Sequence, residues 1–230
     1  MNYTNFKILN INFTYILDYM TTLFPTAFVE TLYMILVPTL IASIIGFIIA
    51  IILVITKDDG LKPNKTVYNT LGLIVNIFRS FPFIILIVAI SSFTRLVVGT
   101  SIGNTAALVP ITVGTAPFIA RLIESSLNEV DRGLIEAAKS FGATNVQIIF
   151  KVMVKESVPS IVLGVTLTII SVLGYTAIAG AVGAGGLGNV AIVYGYQQFD
   201  KNVMFFTVIA LVILVQIIQN LGDFLYKKLK

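Results

Sequence analysis

The stretch DRGLIEAAKSFGATNVQIIFKVMVK, residues Asp131–Lys155, is a polar island between two long apolar runs. It begins with an aspartate, a favourable N-cap, and Leu134, Ala138 and Phe141 recur at the i, i+4, i+7 spacing of one helical face. Gly142 follows where a C′ glycine ends a helix. The island therefore predicts a short capped helix that stops at Gly142.

A second short helix is predicted directly after that glycine. The residues Thr144–Gln147 have the spacing of a capping box, in which Thr and Gln side chains satisfy backbone N–H groups reciprocally. A chain that crosses a membrane has little use of its own for two capped helices between spans. We therefore expect a partner to dock on the island.

The composition places the rest of the chain in a bilayer. Of 230 residues, 57% are hydrophobic and 11% are charged, whereas soluble domains carry roughly 25% charged residues. The chain has no Cys and no His. It therefore offers no disulfide, no cysteine metal site and no histidine acid–base pair, which argues against an enzyme. Most basic residues lie in a few loops, so the net charge of +4 is not a nucleic-acid signal.

Five stretches are long and apolar enough to cross a hydrocarbon core as helices, which takes about 20 residues. They lie near Thr31–Thr56, Tyr68–Ser92, Asn104–Ile123, Val158–Val182 and Val203–Leu225. The third contains Pro110, Gly114 and Pro117 and is expected to kink. We predict an all-α fold in which residues 1–230 form a single domain with five transmembrane helices.

Basic residues predict the orientation of these spans, because cytoplasmic loops are enriched in Lys and Arg. Eleven lie on one predicted side: Lys57, Lys62, Lys65, Arg121, Arg132, Lys139, Lys151, Lys155, Lys227, Lys228 and Lys230. The other side has Lys7, Arg95 and Lys201. The N-terminus is therefore expected outside, and the C-terminus and the segment 131–155 in the cytoplasm.

The first 25 residues do not have the pattern of a cleaved signal peptide, since they lack a continuous apolar region and a small-x-small cleavage site. Their aromatic and apolar residues predict instead an external segment at the membrane interface. These residues are Phe6, Ile8, Phe13, Tyr15 and Tyr19.

Glu136-Ala-Ala138 is followed by Gly142 within the polar island. Four more motif-bearing stretches lie elsewhere in the chain: NIFRSFPFIIL (Asn76–Leu86), TRLVVGTSIG (Thr94–Gly103), VPITVGTAPFIAR (Val109–Arg121) and GYTAIAGAVGAGGLG (Gly174–Gly188). Together these stretches resemble the methionine-type permease subunits of ABC importers, and Glu136–Gly142 is similar to the EAA loop of that family. The resemblance covers about Glu30 to Asp223. Where the family has Leu-Pro at the end of the EAA motif, this chain has Val154-Lys155, which predicts a straighter junction into the fourth span.

The resemblance implies a permease fold in a bacterial inner membrane, assembled as a homodimer. Two separate ATPase subunits that bind ATP and Mg²⁺ would sit in the cytoplasm, and a binding protein outside would deliver an amino acid, with D- or L-methionine as the first expectation. No cofactor or metal is expected on this chain, which has no GxxxxGK[ST] phosphate loop. The expected ATPase-coupling residues are Arg132, Glu136, Ala137, Ala138, Lys139, Gly142 and Ala143.

Two other groups of residues are candidates for the transport route. Arg79 is the one charge well inside a predicted span, and such a charge either faces a pathway or snorkels to the interface. Its companions in a candidate pathway or gate are Asn76, Ser80, Pro82, Thr112, Thr115, Tyr175 and Thr176, although such hydroxyls also join helices. The outer glycine turn consists of Gly183, Gly185, Gly186 and Gly188. It matches GxGxxG formally, but it follows an apolar helix and not a strand, so it indicates a flexible or tightly packed turn.

Three alternatives stay open at this point. An ion-coupled carrier that works alone would need acidic residues deep in the membrane, and Glu30 and Glu124 lie near span edges. An assembly factor of another membrane complex would need neither the EAA-like loop nor the glycine turn. A permease of the same class for another amino acid or small nutrient fits every motif.

Overall fold

The computed structural model describes residues 19–230, and all of the regular structure there is helical. The helices are α1 (Phe24–Thr56), α2 (Lys65–Ser80), α3 (Phe83–Ala89), α4 (Ser91–Val98), α5 (Asn104–Asn128), α6 (Arg132–Ser140), α7 (Asn145–Gln147), α8 (Val154–Ala181), α9 (Gly186–Asn189) and α10 (Lys201–Leu229). Stretches of π-helix at Tyr19–Leu23, Ile148–Met153 and Val190–Gln197 extend α1, α7 and α9. The all-α prediction is confirmed.

Four continuous helices are long and apolar enough to cross a membrane. They are Thr21–Thr56, Asn104–Asn128, Asn145–Ala181 and Lys201–Leu229. The first begins ten residues before the predicted start, and the second runs through both of its prolines to Asn128. The third starts inside the polar island and continues without a break through Lys155, as expected where the usual proline is missing.

The predicted span Tyr68–Ser92 is not one helix, and that part of the prediction is wrong. The chain bends by 102° between α2 and α3. Phe81, at the break, has φ −75° and ψ 125°. Pro82 is the physical reason, because proline disfavours the helical conformation of the residue before it and has no N–H to donate.

The described chain divides into two compact units. Within the described residues, the first unit consists of residues 19–38, Phe83–Ile111 and Ser171–Ile217. The second consists of Thr39–Pro82, Thr112–Ile170 and Ile218–Lys230. Each of the four long helices contributes residues to both units.

The second unit has a continuous apolar core. Its fully or nearly fully buried members are Ala42, Ala50, Val54, Ala116, Ile119, Ile123, Leu127, Ile148, Ile149 and Met153. They come from α1, α5 and the π-helical stretch before α8, so the end of the polar island is built into the same core as the long helices. Close approach of α1 and α5 depends on Gly46, where a Cβ would lie 2.8 Å from Ile119 Cγ2 and 2.9 Å from the Ala116 carbonyl oxygen.

The first unit has a smaller core of Tyr19, Ala27, Leu187, Val190 and Val203. The hydroxyl of Tyr19 is 2.6 Å from Oγ1 of Thr207, a hydrogen bond between the start of the described chain and α10. Tyr19 is thus a buried core residue, and its prediction as an interfacial residue is wrong. The other residues of that prediction, Phe6 to Tyr15, lie outside the described residues.

Substituting Gly46 by Ala tests the close contact between α1 and α5. We expect Gly46→Ala to lower stability by about 1–3 kcal/mol, because the added methyl group meets a backbone oxygen that cannot rotate away. Gly174→Ala is the matched control, since no atom lies within 4 Å of a Cβ there. Monodispersity after heating in detergent measures both, and equal stability of the two variants would contradict the packing described.

Candidate functional site

The polar island folds as predicted. The N–H of Gly133 donates to Oδ1 of Asp131 at 2.6 Å, so that aspartate caps α6. Gly142 has φ +77°, and the N–H of Ala143 donates to the carbonyl of Ala138 at 3.0 Å, which closes the C-terminus of the helix. The capping box of Thr144 and Gln147 is also present at the start of α7. These three predictions are confirmed.

The faces of this segment differ from the simple stripe that the spacing predicted. Ile135, Ala138 and Ala143 pack against the core of the second unit. Leu134 and Phe141, which the i, i+4, i+7 pattern placed with Ala138, are exposed instead, and Phe141 is 92% accessible. Ala138 is therefore the one member of the predicted stripe that packs on the core, and Ile135, three residues before it, is the other residue of α6 that does so.

Three exposed apolar side chains of the segment are what we call the docking face. They are Leu134, Phe141 and Val146. Ala137 and Glu136 are exposed in the same segment, and nothing lies within 4 Å of a Cβ built on Gly142. The segment is thus fastened to the core by some of its side chains, while other large apolar groups stay exposed.

An ion-pair chain ties the start of α6 to the loop after α1. Arg132 forms an ion pair with Asp59, and Lys57 lies 3.0 Å from Asp59 and donates to Asn128 Oδ1 at 2.7 Å. Arg132, predicted to serve acidic groups of a partner, is therefore engaged within the chain. Glu136 and Lys139 line a cleft of about 130 Å³ beside these residues.

A second network, which the sequence reasoning missed, links α5 to α2. Arg121 donates to Glu124 Oε2 at 2.7 Å, to the Gly72 carbonyl at 3.1 Å and to Asn76 Oδ1 at 3.2 Å. The hydroxyl of Tyr68 donates a longer bond, 3.4 Å, to the same glutamate. Glu124 is only 5% exposed. The predicted third span ended at Ile123, so Glu124 was not considered together with Arg121. Their i, i+3 spacing on one helix is the sequence signal for such a pair.

Arg79 lies in the last turn of α2, just before the break, and is exposed in the single chain. It makes no ion pair or hydrogen bond with any residue that the structure describes. It lines an open hollow of about 500 Å³ with Arg121, Glu129, Ser160, Leu163 and Leu167. Nearby Ser80 is used locally, since its hydroxyl donates to the Asn76 carbonyl at 2.8 Å.

The remaining pathway candidates are not gathered at one place within either unit. Tyr175 of the first unit stacks on Phe83 with ring centroids 4.3 Å apart, and buried Thr176 donates to the Leu173 carbonyl of its own helix. In the second unit Thr115 is buried, and its hydroxyl has no hydrogen-bond partner among the described residues. Thr112 of that unit is half-buried. Tyr175 and Thr176 therefore serve packing in this conformation.

The outer glycine turn lies between α8 and α9, with φ of +95° at Gly183, +83° at Gly185 and +78° at Gly186. Gly188 is required for another reason, since a Cβ there would lie 2.3 Å from Ala177 Cα. A helix, and not a strand, precedes the turn, so the dinucleotide pattern is formal. Among residues 19–230 no group of three Asp, Glu, His or Cys side chains is placed to hold a metal ion.

Comparison with known proteins finds relatives over most of this chain. The family model described as binding-protein-dependent transport system inner membrane component matches residues 42–230. A probable D-methionine transport system permease protein of Vibrio cholerae is 50% identical over 203 residues, which is 88% of this chain and 90% of that protein. A methionine import system permease protein of Bacillus subtilis is 50% identical over 172 residues, 75% of this chain and 78% of that protein.

One solved structure is also similar to this chain over most of its length. A chain of the MetNI methionine ABC transporter in an inward-facing conformation is 45% identical, with a TM-score of 0.90. The match covers 92% of this chain and 98% of that chain.

Glu124→Ala tests the network between α5 and α2. We expect this variant to be less stable by about 1–3 kcal/mol, because the Arg121 guanidinium stays in the protein without its ion-pair partner. The double variant Arg121→Met with Glu124→Leu removes both charges and is expected to lose less. Thermal stability in detergent ranks the three proteins, and a single variant as stable as the unmodified chain would show that the network adds nothing.

Proposed function

Since the chain belongs to the family of binding-protein-dependent transport system inner membrane components, we propose that it is the membrane-spanning subunit of an ATP-driven methionine importer. In that role it carries D- or L-methionine, delivered by an extracytoplasmic binding protein, across the bacterial inner membrane. It is not an enzyme, because ATP hydrolysis belongs to a separate subunit. A permease of the same class for another amino acid is the second candidate.

The observation that carries the proposal is the docking face. Large exposed apolar side chains on most of this chain lie on long helices, where lipid or other helices cover them. Leu134, Phe141 and Val146 lie instead on a short capped segment that the charge distribution assigns to the cytoplasm. An exposed apolar group on a rigid segment in water marks an interaction site. The partner proposed for it is the ATPase subunit.

The way in which the segment is fastened supports a mechanical role. Ile135 and Ala138 pack into the core of the second unit, and Arg132 pairs with Asp59 at the end of α1. A force applied by an ATPase at Phe141 would therefore act on α1, α5 and α8 together. Through Arg121 the same displacement would act on α2, which ends at the 102° break.

The hollow beside Arg79 is proposed as the cytoplasmic part of the transport route. Arg79 is a cation without a partner among the described residues, and a cation at this depth is stable only where water, a ligand or another chain reaches it. The hollow also holds a carboxyl group at Glu129, a hydroxyl at Ser160 and leucine side chains. Such a lining suits a zwitterion with an apolar side chain.

An ion-coupled carrier that works alone is disfavoured by the state of Glu30 and Glu124, two of the four acidic residues in the long helices. Glu124 is paired with Arg121, and Glu30 accepts a backbone N–H from Gly186 at 2.8 Å. Both therefore have structural partners. The proposed assembly contains two copies of this chain, two ATPases and one binding protein, with the N-terminus of each copy outside and its C-terminus in the cytoplasm.

Variants of the docking face test the coupling. We expect Glu136→Lys, Phe141→Asp and Gly142→Val to reduce ATP-driven methionine uptake by at least about tenfold while the protein stays in the membrane, since a buried aromatic anchor at an interface is worth about 2 kcal/mol or more. Proteoliposomes containing the ATPase and the binding protein give uptake and ATP hydrolysis on the same samples.

Glu156→Lys is the control, because it reverses a charge at the start of α8 outside the segment. Uptake that survives all three substitutions would exclude the docking face as the coupling surface. Labelling of a cysteine introduced at position 141 from the cytoplasmic side checks the orientation independently. Uptake of a panel of amino acids, each with its own binding protein, separates methionine from other cargo.

Arg79→Ala tests the proposed route. We expect at least about a fivefold lower uptake rate with normal assembly, because a cation that contacts the cargo carboxylate contributes about 1–2 kcal/mol, and Arg79→Lys should retain part of the rate. Arg95→Ala removes an arginine from α4, outside the hollow, and serves as the control. Unchanged uptake for Arg79→Ala would assign this arginine to the membrane interface.

A further inference from the structure

The outer glycine turn is held directly by two neighbouring side chains of α1. The N–H of Gly186 donates to Oε2 of Glu30, and the N–H of Leu187 donates to Oγ1 of Thr31, both at 2.8 Å. The Thr31 hydroxyl itself donates to the Ala27 carbonyl at 2.8 Å, which orients its oxygen to accept. Two N–H groups at the start of α9, which have no partner within the helix, are thus capped by residues 156 positions away.

The backbone of the turn fits closely against these side chains. A Cβ at Gly185 would lie 2.6 Å from Oε2 of Glu30. A Cβ at Gly186 would lie 2.8 Å from both Met34 Cε and Thr31 Oγ1. Thr31 and Met34 are fully buried, so this surface of α1 has no space for a larger residue in the turn.

The other sides of the turn are packed as well. Gly188 lies against Ala177 of α8, where a Cβ would be 2.3 Å from the Cα atom. The N–H of Gly103, just before α5, donates to the Gly183 carbonyl at 3.1 Å. All of these contacts lie within the first unit. They indicate a turn held by its neighbours and not a loose hinge.

We propose that Glu30 and Thr31 are positioning residues that fasten the outer glycine turn to α1, so that turn and helix move as one body during the transport cycle. The positive φ angles then serve close packing against α1, and the motion at the outer side occurs elsewhere in the chain. Separation of the turn from α1 would leave the N–H groups of Gly186 and Leu187, both in buried residues, without these partners, which opposes it. The inference rests on the proposed function only for its transport consequence.

Hydrogen exchange tests the fastening without any cargo. In the full-length protein assembled with its ATPase, we expect Glu30→Ala to speed exchange in the peptide covering residues 183–189 by at least about tenfold, the effect of losing a hydrogen bond to a carboxyl oxygen. Glu30→Gln keeps an acceptor oxygen and should exchange close to the unmodified rate. Unchanged exchange in Glu30→Ala would overturn the proposal.

Uptake measurements on the same variants distinguish a positioning role from general destabilisation. Glu30→Ala is expected to carry fewer methionine molecules per ATP hydrolysed, and Glu30→Gln to restore that ratio. Thr31→Val removes the hydroxyl at similar volume and should lower the number of methionine molecules carried per ATP. Thr31→Ser keeps the hydroxyl and should keep that ratio at the unmodified value. Equal ratios for Glu30→Ala and Glu30→Gln would count against the proposal.

These outcomes are separable from the proposed function. If the unmodified assembly does not carry methionine, the proposed cargo is wrong, while the exchange rates still decide whether Glu30 fastens the turn. Normal methionine uptake together with unchanged exchange in Glu30→Ala would leave the function standing and remove this inference.

Discussion

Every polar group that this chain carries into the bilayer needs a partner inside the protein, because hydrocarbon offers none. The structure meets this constraint with a few long-range contacts. Arg121 and Glu124 satisfy each other and a carbonyl of α2, while Glu30 and Thr31 cap the start of α9. The Arg79 side chain has no such partner among the described residues, and it lines a hollow. The same constraint therefore produces both the internal fasteners and the candidate route.

The fasteners explain how a small segment can act on a large membrane domain. The buried side of α6 is part of the core that α1 and α5 share, and the segment runs through α7 directly into α8. Its exposed side carries Phe141 and Leu134. In the proposed coupling, a partner that binds the exposed side chains would displace the long helices themselves, since closely packed interiors transmit displacement.

Local sequence patterns predicted the helix caps of the polar island and most of the membrane-spanning helices. Caps at Asp131, Gly142 and Thr144 depend on residues within four positions of one another, so one sequence suffices to place them. Apolar length predicted four of the crossings, with errors at their ends, because span ends are set by packing as well as by hydropathy. The bend at Pro82 was misjudged, since hydropathy is continuous across it while the backbone is not.

The sequence by itself determined the all-α membrane class, the two capped helices within residues 131–155 and the family, because these follow from composition, short spacings and quoted motifs. Only the tertiary structure decided which residues of α6 are buried, how Arg121 is joined to α2, and what holds the glycine turn. Those features join residues 49 and 156 positions apart. Contacts at such separations depend on how helices pack, and no local pattern carries that information.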